Sequence, residues 1–280
     1  MESFIIKKIL NNNVVIATHS TYHEVVLIGK GIGFGKNHGD NITQNKAEKI
    51  FVLRNEKEQE QYKVLLTSLD ESFIEVMNDI IDHIRKRVHD QLNEHIHIAL
   101  TDHLAFAIKR LEQGLDLSNP FLLETKTLYP LEYEVAAEVV EILREKTNIK
   151  LPIGEVGFIA LHIHSALSNR SLSEVNKHSH LISELLTLIE RELDLTLNRE
   201  GVNYLRLIRH LRYVIDRVVN GEKVEETESL AKVLKKEYPV CYNLSWKVIK
   251  TMQQALIMNV SDAEAVYLTV HLQRIASKNE

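Results

Sequence analysis

The chain contains an internal repeat that keeps histidine at matching positions in both copies. Three segments recur at a spacing of 107 to 109 residues: 100–110, 128–133 and 155–163 return as 207–217, 237–242 and 264–272. Histidines occupy equivalent positions within these segments: His103 and His162 in the first copy, His210 and His271 in the second. A duplicated core needs only apolar residues of suitable size, so packing gives no reason to keep two imidazoles. The repeat therefore predicts a tandem module that uses histidine chemistry.

Composition limits the class of protein to which this module belongs. Of the 280 residues, 44% are hydrophobic and 26% are charged, and no apolar run approaches the length of a membrane-spanning helix, about 18–20 residues. The N-terminus lacks the pattern of a signal peptide. Cys241 is the one cysteine, which excludes an internal disulfide framework and a cysteine-rich zinc site. We therefore expect a cytoplasmic protein without membrane insertion.

The first 55 residues differ from the rest in charge and in pattern. They carry seven Lys or Arg against four acidic residues, whereas the whole chain has a formal charge of −5. Short runs rich in Val, Ile and Leu predict four strands: 4–10, 14–18, 24–28 and 50–53. A sheet of this size buries too little surface to be stable alone. We expect a small all-β domain with a four-stranded antiparallel sheet that dimerises or leans on its neighbours.

The pattern changes to helix after a charged linker at 55–61. Apolar residues recur at helical spacing from there onward, and the first predicted helix covers 60–89. A polar break at 169–171 separates the two copies of the repeat. The sequence therefore predicts a multidomain chain in which the all-β domain precedes two all-helical bundles. The expected domains are 1–59, 60–170 and 171–280.

The chain has fourteen histidines, and their spacing bears on metal binding. Three His-x-His pairs occur: His95 and His97, His162 and His164, His178 and His180. Positions i and i+2 of a helix point about 200° apart, so such a pair cannot chelate one metal from a single helical face. The pattern indicates neither a metal nor a cofactor. A metal-dependent hydrolase that uses Asp102, His103 and His162 is kept as the alternative.

An imidazole can instead accept a phosphoryl group at neutral pH, because its pKa leaves one nitrogen free there. The added negative charge would open or re-pair an apolar interface. Three arginines lie near His210 in the sequence and are candidates to bind such a phosphate: Arg206, Arg209 and Arg212. Asp102 would repel a phosphate on the adjacent His103. The two repeats are therefore expected to respond differently to modification.

A glycine-rich segment at 29–36 allows more than one interpretation. A nucleotide-binding loop needs a helix directly after it, but turn-forming residues follow here. The segment can instead form a hairpin on which Phe34 stacks against bases, while Lys30 and Lys36 contact phosphates beside Lys8. The turn at 11–13 could then contact base edges. In the competing interpretation, 11–13 is only a turn and Phe34 is a core ring; residue chemistry leaves both open.

These motifs together resemble a known family. The segment Lys8–Val14, followed by 29–36, is similar to the co-antiterminator (CAT) RNA-binding domain of the BglG/SacY/LicT transcriptional antiterminators. The helical repeats resemble the regulation domains (PRDs) of these proteins, which respond to the sugar phosphotransferase system. The resemblance covers essentially the whole chain, and segments 27–36 and 94–103 are most similar to members that control glucose uptake. A DNA-binding head is disfavoured because no helix-turn-helix pattern occurs.

The resemblance implies a regulator and not an enzyme, with no catalytic residues and no cofactor. The N-terminal domain, residues 1–59 (the head), would bind as a dimer to an antiterminator hairpin in a nascent leader transcript. It would thereby prevent the terminator from forming upstream of sugar-uptake genes. The implied RNA contacts are Lys8, Asn11, Asn12, Asn13, Gly29, Lys30, Phe34 and Lys36. Many relatives carry Arg at the position of Lys30, so a bidentate donor is replaced by a point charge.

The resemblance also implies roles for the four repeat histidines. His103 and His162 would receive phosphate from a sugar permease (enzyme II), expected to be the glucose permease, and the protein would then be inactive. His210 and His271 would be phosphorylated by the phosphocarrier protein HPr. No such role is implied for the others considered, which we expect to be structural: His95, His97, His164, His178 and His180.

Overall fold

A computed structural model describes residues 3–51, 64–66, 68–222, 224 and 228–277. The chain divides into two compact units. The first contains residues 1–116 and 137–152, and the second contains residues 117–136 and 153–280. None of the described helices is long and apolar enough to cross a membrane.

The first unit is built on an antiparallel sheet with the strand order β4-β1-β2-β3-β5. Its described strands are β1 (Ser3–Asn11), β2 (Val14–His19), β3 (His23–Ile28), β4 (Asn41–Thr43) and β5 (Lys49–Phe51). The predicted all-β head is confirmed, with one strand more than the four expected. The extra strand β4 has only three residues, too few for a sequence pattern. The predicted end of the last strand, at 52–53, lies outside the described residues.

The centre of the sheet is buried on both faces. Residues 14–17 of β2 are all buried, because alternate side chains enter different clusters. Val15 and Ala17 pack with other residues of the head. Val14 packs on the opposite face in a cluster with Ile74 and Ile98, which belong to helices. The β-sheet domain therefore packs against helices, which is one of the two arrangements expected for a sheet with so small a core.

After the sheet, the described chain is mainly helical. Their bounds are α1 (Glu71–Val88), α2 (Ile96–Glu112), α3 (Leu122–Leu128), α4 (Pro130–Thr147), α5 (Ile153–Ser168), α6 (Leu172–Leu193), α7 (Val202–Asn220), α8 (Glu228–Glu237), α9 (Pro239–Leu256) and α10 (Asp262–Ala276). The predicted helical bundles are confirmed, and α3 is an addition. The predicted helix 60–89 is interrupted, because Asp70 is extended (ψ 145°) and α1 starts after it. Residues 60–63 and 67 of that prediction lie outside the described residues.

The second unit packs around one large apolar cluster. α6 begins with a capping box, in which Ser171 accepts from the backbone N–H of Glu174 and the Glu174 carboxylate bonds back to Ser171. Gly221 follows the last residue of α7 and caps the helix with a φ of 70°, which suits a residue without a Cβ. Buried residues of α6, α7, α9 and α10 share the cluster. These helices fix the positions of the side chains on α7 and α10.

Candidate RNA interface and histidine sites

The turn between β1 and β2 and the glycine-rich segment form one hydrogen-bonded surface. The backbone carbonyl of Asn13 accepts from the N–H of Gly29 at 3.0 Å, and its side-chain Oδ1 accepts from the N–H of Gly31 at 2.7 Å. The carbonyl of Asn12 accepts from the N–H of Gly33 at 2.8 Å. The structure thus brings together two motifs that are about 20 residues apart in the sequence.

Two glycines of this surface lie where a Cβ would be unfavourable, one because of its backbone conformation and one because of a close contact. Gly31 has a φ of +65°, a left-handed conformation that strains any residue with a Cβ. A Cβ on Gly33 would lie 2.6 Å from the carbonyl oxygen of Asn11. The loop therefore approaches the β1–β2 turn closely only because glycine stands there. No phosphate-binding helix follows the loop, since residues 41–43 form β4.

The side chains predicted to contact RNA differ in exposure. Phe34 is 76% exposed, so the interpretation of this ring as a core residue is wrong. Lys8 and Lys30 are exposed, and Lys8 lies at an irregularity in the β1–β2 pairing. Lys36 is half-buried, and Asn13 is 8% exposed. Asn13 therefore shapes the loop, whereas the aromatic ring and the two exposed lysines face outward.

Acidic side chains of α1 contact the same turn, which the sequence did not predict. Glu71 Oε1 accepts from the backbone N–H of Asn12 at 2.9 Å. Glu75 Oε1 accepts from Asn13 Nδ2 at 3.1 Å. The two carboxylates are one helical turn apart, so they lie on the same face of α1. The asparagine turn is thus bonded to the glycine loop on one side and to α1 on the other.

The second unit brings His210 and His271 together. Their rings stack with centroids 4.7 Å apart and planes at 28°. The Glu264 carboxylate lies 3.9 Å from His210 Nε2, and Arg217 donates two hydrogen bonds to this carboxylate at 3.0 and 2.8 Å. His210 Nε2 is buried and has no hydrogen-bond partner among the described residues. The site is a stacked imidazole pair beside an ion pair whose carboxylate is buried and whose guanidinium is partly exposed.

Burial controls the charge of these groups. Desolvation, together with the nearby His271 and Arg217, lowers the pKa of His210 to about 3. Desolvation also lowers the pKa of His271, assisted by Arg274 and Arg206. Both imidazoles are therefore neutral at pH 7 and keep a nitrogen lone pair. Desolvation raises the pKa of Glu264 even though Arg217 opposes the shift.

Of the three arginines nearest His210 in the sequence, Arg206 lies close enough to the stacked pair to help lower the pKa of His271, whereas Arg212 bonds elsewhere. Arg212 donates to the carbonyl of Leu128 at 2.9 Å and stacks over the ring of Tyr129. Its helical position turns it away from His210, because residues i and i+2 point to different faces. Arg217 holds the carboxylate beside His210 instead. The missed residues had a sequence signal: Arg217 and Glu264 repeat Arg110 and Glu155 of the first copy.

The first copy of the repeat contributes histidines to both units. His103 is half-buried on α2 in the first unit, where the neighbouring Asp102 is exposed. His162 is 7% exposed on α5 in the second unit. The described residues contain no group of three or more His, Cys, Asp or Glu side chains that could hold a metal ion.

Histidines outside the four repeat positions make structural contacts. His164 Nδ1 lies 2.9 Å from a Glu132 carboxylate oxygen, and its ring stacks on Tyr129 at 3.8 Å. His97 is almost buried and accepts from Arg85 at 3.2 Å. Desolvation, with Lys49 and Arg85 nearby, lowers the pKa of His97 to about 2.

Comparison with known proteins identifies the family. The CAT RNA binding domain matches residues 4–60, and the PRD domain matches residues 78–166 and 183–275. The chain is 57% identical over 276 residues to the PtsGHI operon antiterminator of Bacillus subtilis, covering 99% of this chain and 98% of that protein. The chain belongs to the BglG/GlcT family of antiterminators. Its eight predicted RNA contacts lie within the CAT match, and its four repeat histidines lie within the PRD matches.

Further relatives agree with this assignment. The GlcA/glcB genes antiterminator of Staphylococcus carnosus is 38% identical over 285 residues, covering 100% of this chain and 98% of the relative. The crystal structure of GlcT CAT-PRDI matches with a TM-score of 0.55 and 60% identity, covering 60% of this chain and 99% of that one. Members of the antiterminator family are transcriptional regulators, so the hydrolase alternative based on Asp102, His103 and His162 is not supported.

Proposed function

We propose that this antiterminator binds a hairpin in the nascent leader transcript of sugar phosphotransferase genes, and that the hairpin then prevents a terminator from forming. A relative named as the PtsGHI operon antiterminator makes a glucose operon the first candidate target. The protein acts in the cytoplasm as a homodimer. Its working parts are a CAT domain at 1–59 and PRDs at 60–170 and 171–280.

The observation that carries the proposal is the joint surface of the asparagine turn and the glycine loop. Three backbone-directed hydrogen bonds hold the loop on the turn. Phe34 projects from it as an exposed ring that can stack on an unpaired base, and Lys30 supplies positive charge for a phosphate. A loop with this ring and charge fits single-stranded or bulged bases better than it fits a buried small-molecule pocket.

Histidine phosphorylation is the proposed regulation. HPr would phosphorylate His210 and His271, and the sugar permease would phosphorylate His103 and His162. In each transfer, an N–P bond forms on the accepting imidazole as the bond from phosphorus to its donor breaks. The low pKa of His210 keeps the accepting ring neutral, which nucleophilic attack requires.

The charge around His210 explains why a phosphoryl group there would have a structural effect. A phosphoryl group carries about −1.5 to −2 charges at neutral pH. On His210 Nε2 it would lie next to the Glu264 carboxylate, now 3.9 Å away, and Arg217 could not satisfy both anions in its present position. Since Nε2 is buried, the stacked pair must also open before a donor reaches this atom. Phosphorylation would therefore stabilise an arrangement different from the one described.

The RNA-binding proposal is tested by removing the exposed ring. The full chain is titrated into a fluorescent leader hairpin of the Bacillus subtilis PtsGHI operon. We expect Phe34→Ala to raise the Kd about 5- to 150-fold, because base–aromatic stacking contributes about 1–3 kcal/mol. The fold should be unchanged, since the ring is exposed.

A matched control comes from the other end of the sheet. Tyr22 is 46% exposed and stacks on His19 in the β2–β3 turn, where strand pairing ends at His19 and His23. Tyr22→Ala should leave the Kd within about twofold of the parent. Equal losses in the two variants, or no hairpin preference in the parent chain, would refute the assigned surface.

A further inference from the structure

We propose that the acidic face of α1 closes the RNA-binding turn, so that RNA binds only when α1 leaves it. This inference rests on the proposed RNA surface and adds to it residues that act against RNA binding. Glu71 and Glu75 hold the backbone N–H of Asn12 and the side-chain amide of Asn13. Both bonded groups belong to the turn that carries the glycine loop.

The two carboxylates compete with RNA in two ways. They occupy donors that a phosphate or a base edge would otherwise accept from. They also place negative charge next to the turn, and a phosphate bound within contact distance would be repelled by it. The head carries the positive charge that attracts a polyanion. The carboxylates of Glu71 and Glu75 on α1 offset this charge next to the turn.

A second set of contacts holds α1 in this position. Lys49 of β5 donates to the Asp82 carboxylate at 2.7 Å and to the backbone carbonyl of Asn78 at 3.1 Å. The Lys49 side chain is only 12% exposed, so its ammonium is shielded from solvent, whereas the Asp82 side chain is 45% exposed. Asn78 and Asp82 continue the helical face that begins with Glu71 and Glu75, because these residues are spaced by three or four.

Apolar packing fixes the register between the acidic face and the turn. Ile74 lies between the two glutamates in the sequence and packs in the same cluster as Val14, the residue that follows the asparagine turn. Val26 and Ile28 of β3 complete the sheet side of this cluster. The contact thus combines an apolar centre with polar bonds at two ends, the pattern of a specific docked state.

Variants of α1 test this closed contact between α1 and the turn, which we call the gate. Glu75→Gln removes one charge and weakens the bond to Asn13, and Glu71→Gln/Glu75→Gln removes both. We expect the double variant of the full chain to bind the PtsGHI leader hairpin about tenfold more tightly than the parent. Asp82→Asn, which loosens the Lys49 contact, should also tighten binding.

The matched control is Asp79→Asn. Asp79 lies one turn after Glu75 on α1 and bonds Lys146 at 2.8 Å, so it offers the same charge change without a contact to the head. It should change the Kd less than twofold. If Asp79→Asn tightens binding as much as Glu75→Gln does, general charge and not the contact is responsible, and the gate is wrong. Weaker binding by Glu75→Gln would also overturn it, because Glu75 would then contact the RNA directly.

A measurement without variants separates failure of the gate from failure of the RNA surface. Hydrogen exchange of the parent chain is followed with and without the hairpin. The gate predicts that peptides covering 71–80 lose protection when RNA binds while 11–33 gains it. RNA binding with unchanged protection at 71–80 would refute the gate and leave the RNA surface intact. Absence of any binding by the parent and by the double variant would refute the RNA surface itself.

Discussion

Removal of Arg217 should destabilise the second unit in a way that depends on pH. Arg217→Met keeps an unbranched side chain of similar helix propensity but leaves the Glu264 carboxylate, 2% exposed, without its cation. At 2.8 Å, the Coulomb attraction at an effective dielectric constant of about 20 is about 6 kcal/mol, and breaking a buried pair typically costs about 3–5 kcal/mol. The Arg217 side chain is 31% exposed, so water screens part of this. We expect a loss of about 2–3 kcal/mol at pH 8.

The sign of the pH dependence follows from Glu264. Desolvation already raises its pKa above 4.5, and Arg217 is the group that opposes the shift, so the variant raises the pKa further. A carboxyl whose folded pKa is raised stabilises the fold below its unfolded pKa and loses that contribution as pH rises through the folded value. The penalty of Arg217→Met should therefore be small near pH 4.5 and grow as pH rises.

Urea unfolding followed by the fluorescence of Trp246, the chain's single tryptophan, reports on the second unit. Adding Glu264→Gln to Arg217→Met should remove the pH dependence and recover part of the stability, since no buried charge is left. Arg206→Met is the control, because Arg206 is exposed on α7 and surface substitutions cost within about 0.5 kcal/mol. A cost below about 0.5 kcal/mol for Arg217→Met at pH 8, or one that is equal at pH 5 and pH 8, would refute the reasoning.

Three further predictions concern single positions. Gly33→Ala should abolish hairpin binding in a gel shift, because its Cβ would lie 2.6 Å from a backbone oxygen. Gly35→Ala meets nothing within 4 Å, so it should cost only the strain of its positive φ, about 1 kcal/mol. Equal effects of the two variants would contradict this. Ser171→Ala should lower the stability of the second unit by about 1 kcal/mol through loss of the cap on α6, measured by urea unfolding. Peptide mapping during phosphorylation by HPr should find His271 modified before His210, whose Nε2 is buried, and the reverse order would contradict the described geometry.

Local patterns predicted the elements of this fold better than its long-range contacts. Runs of β-branched residues between asparagines and glycines predicted three long strands, because turn chemistry marks their ends. Strand β4 and helix α3 are short, and short elements are specified by the neighbours that they pair with or pack on. The extended Asp70 was missed for a similar reason: the apolar spacing continues past it, and only the backbone conformation shows where α1 begins.

In the candidate sites, too, the sequence predicted individual residues better than the contacts between distant residues. The repeat singled out His210 and His271, and the structure stacks them. The repeat alone did not indicate that Glu264 and Arg217 join them, although both residues are kept in it, because each lies seven residues from the histidine on its own helix. The contact of Glu75 with Asn13 joins residues 62 apart, and no local pattern encodes a contact at that separation.

Transcription through a leader terminator in vitro tests the central proposal most directly. The ratio of full-length to terminated transcript is measured on a PtsGHI-type leader with the full chain, with Phe34→Ala and with Tyr22→Ala. The parent and Tyr22→Ala should raise the ratio, and Phe34→Ala should raise it far less at equal concentration. A ratio that the parent leaves unchanged, or that Phe34→Ala raises as strongly as the parent does, would contradict antitermination through this RNA surface.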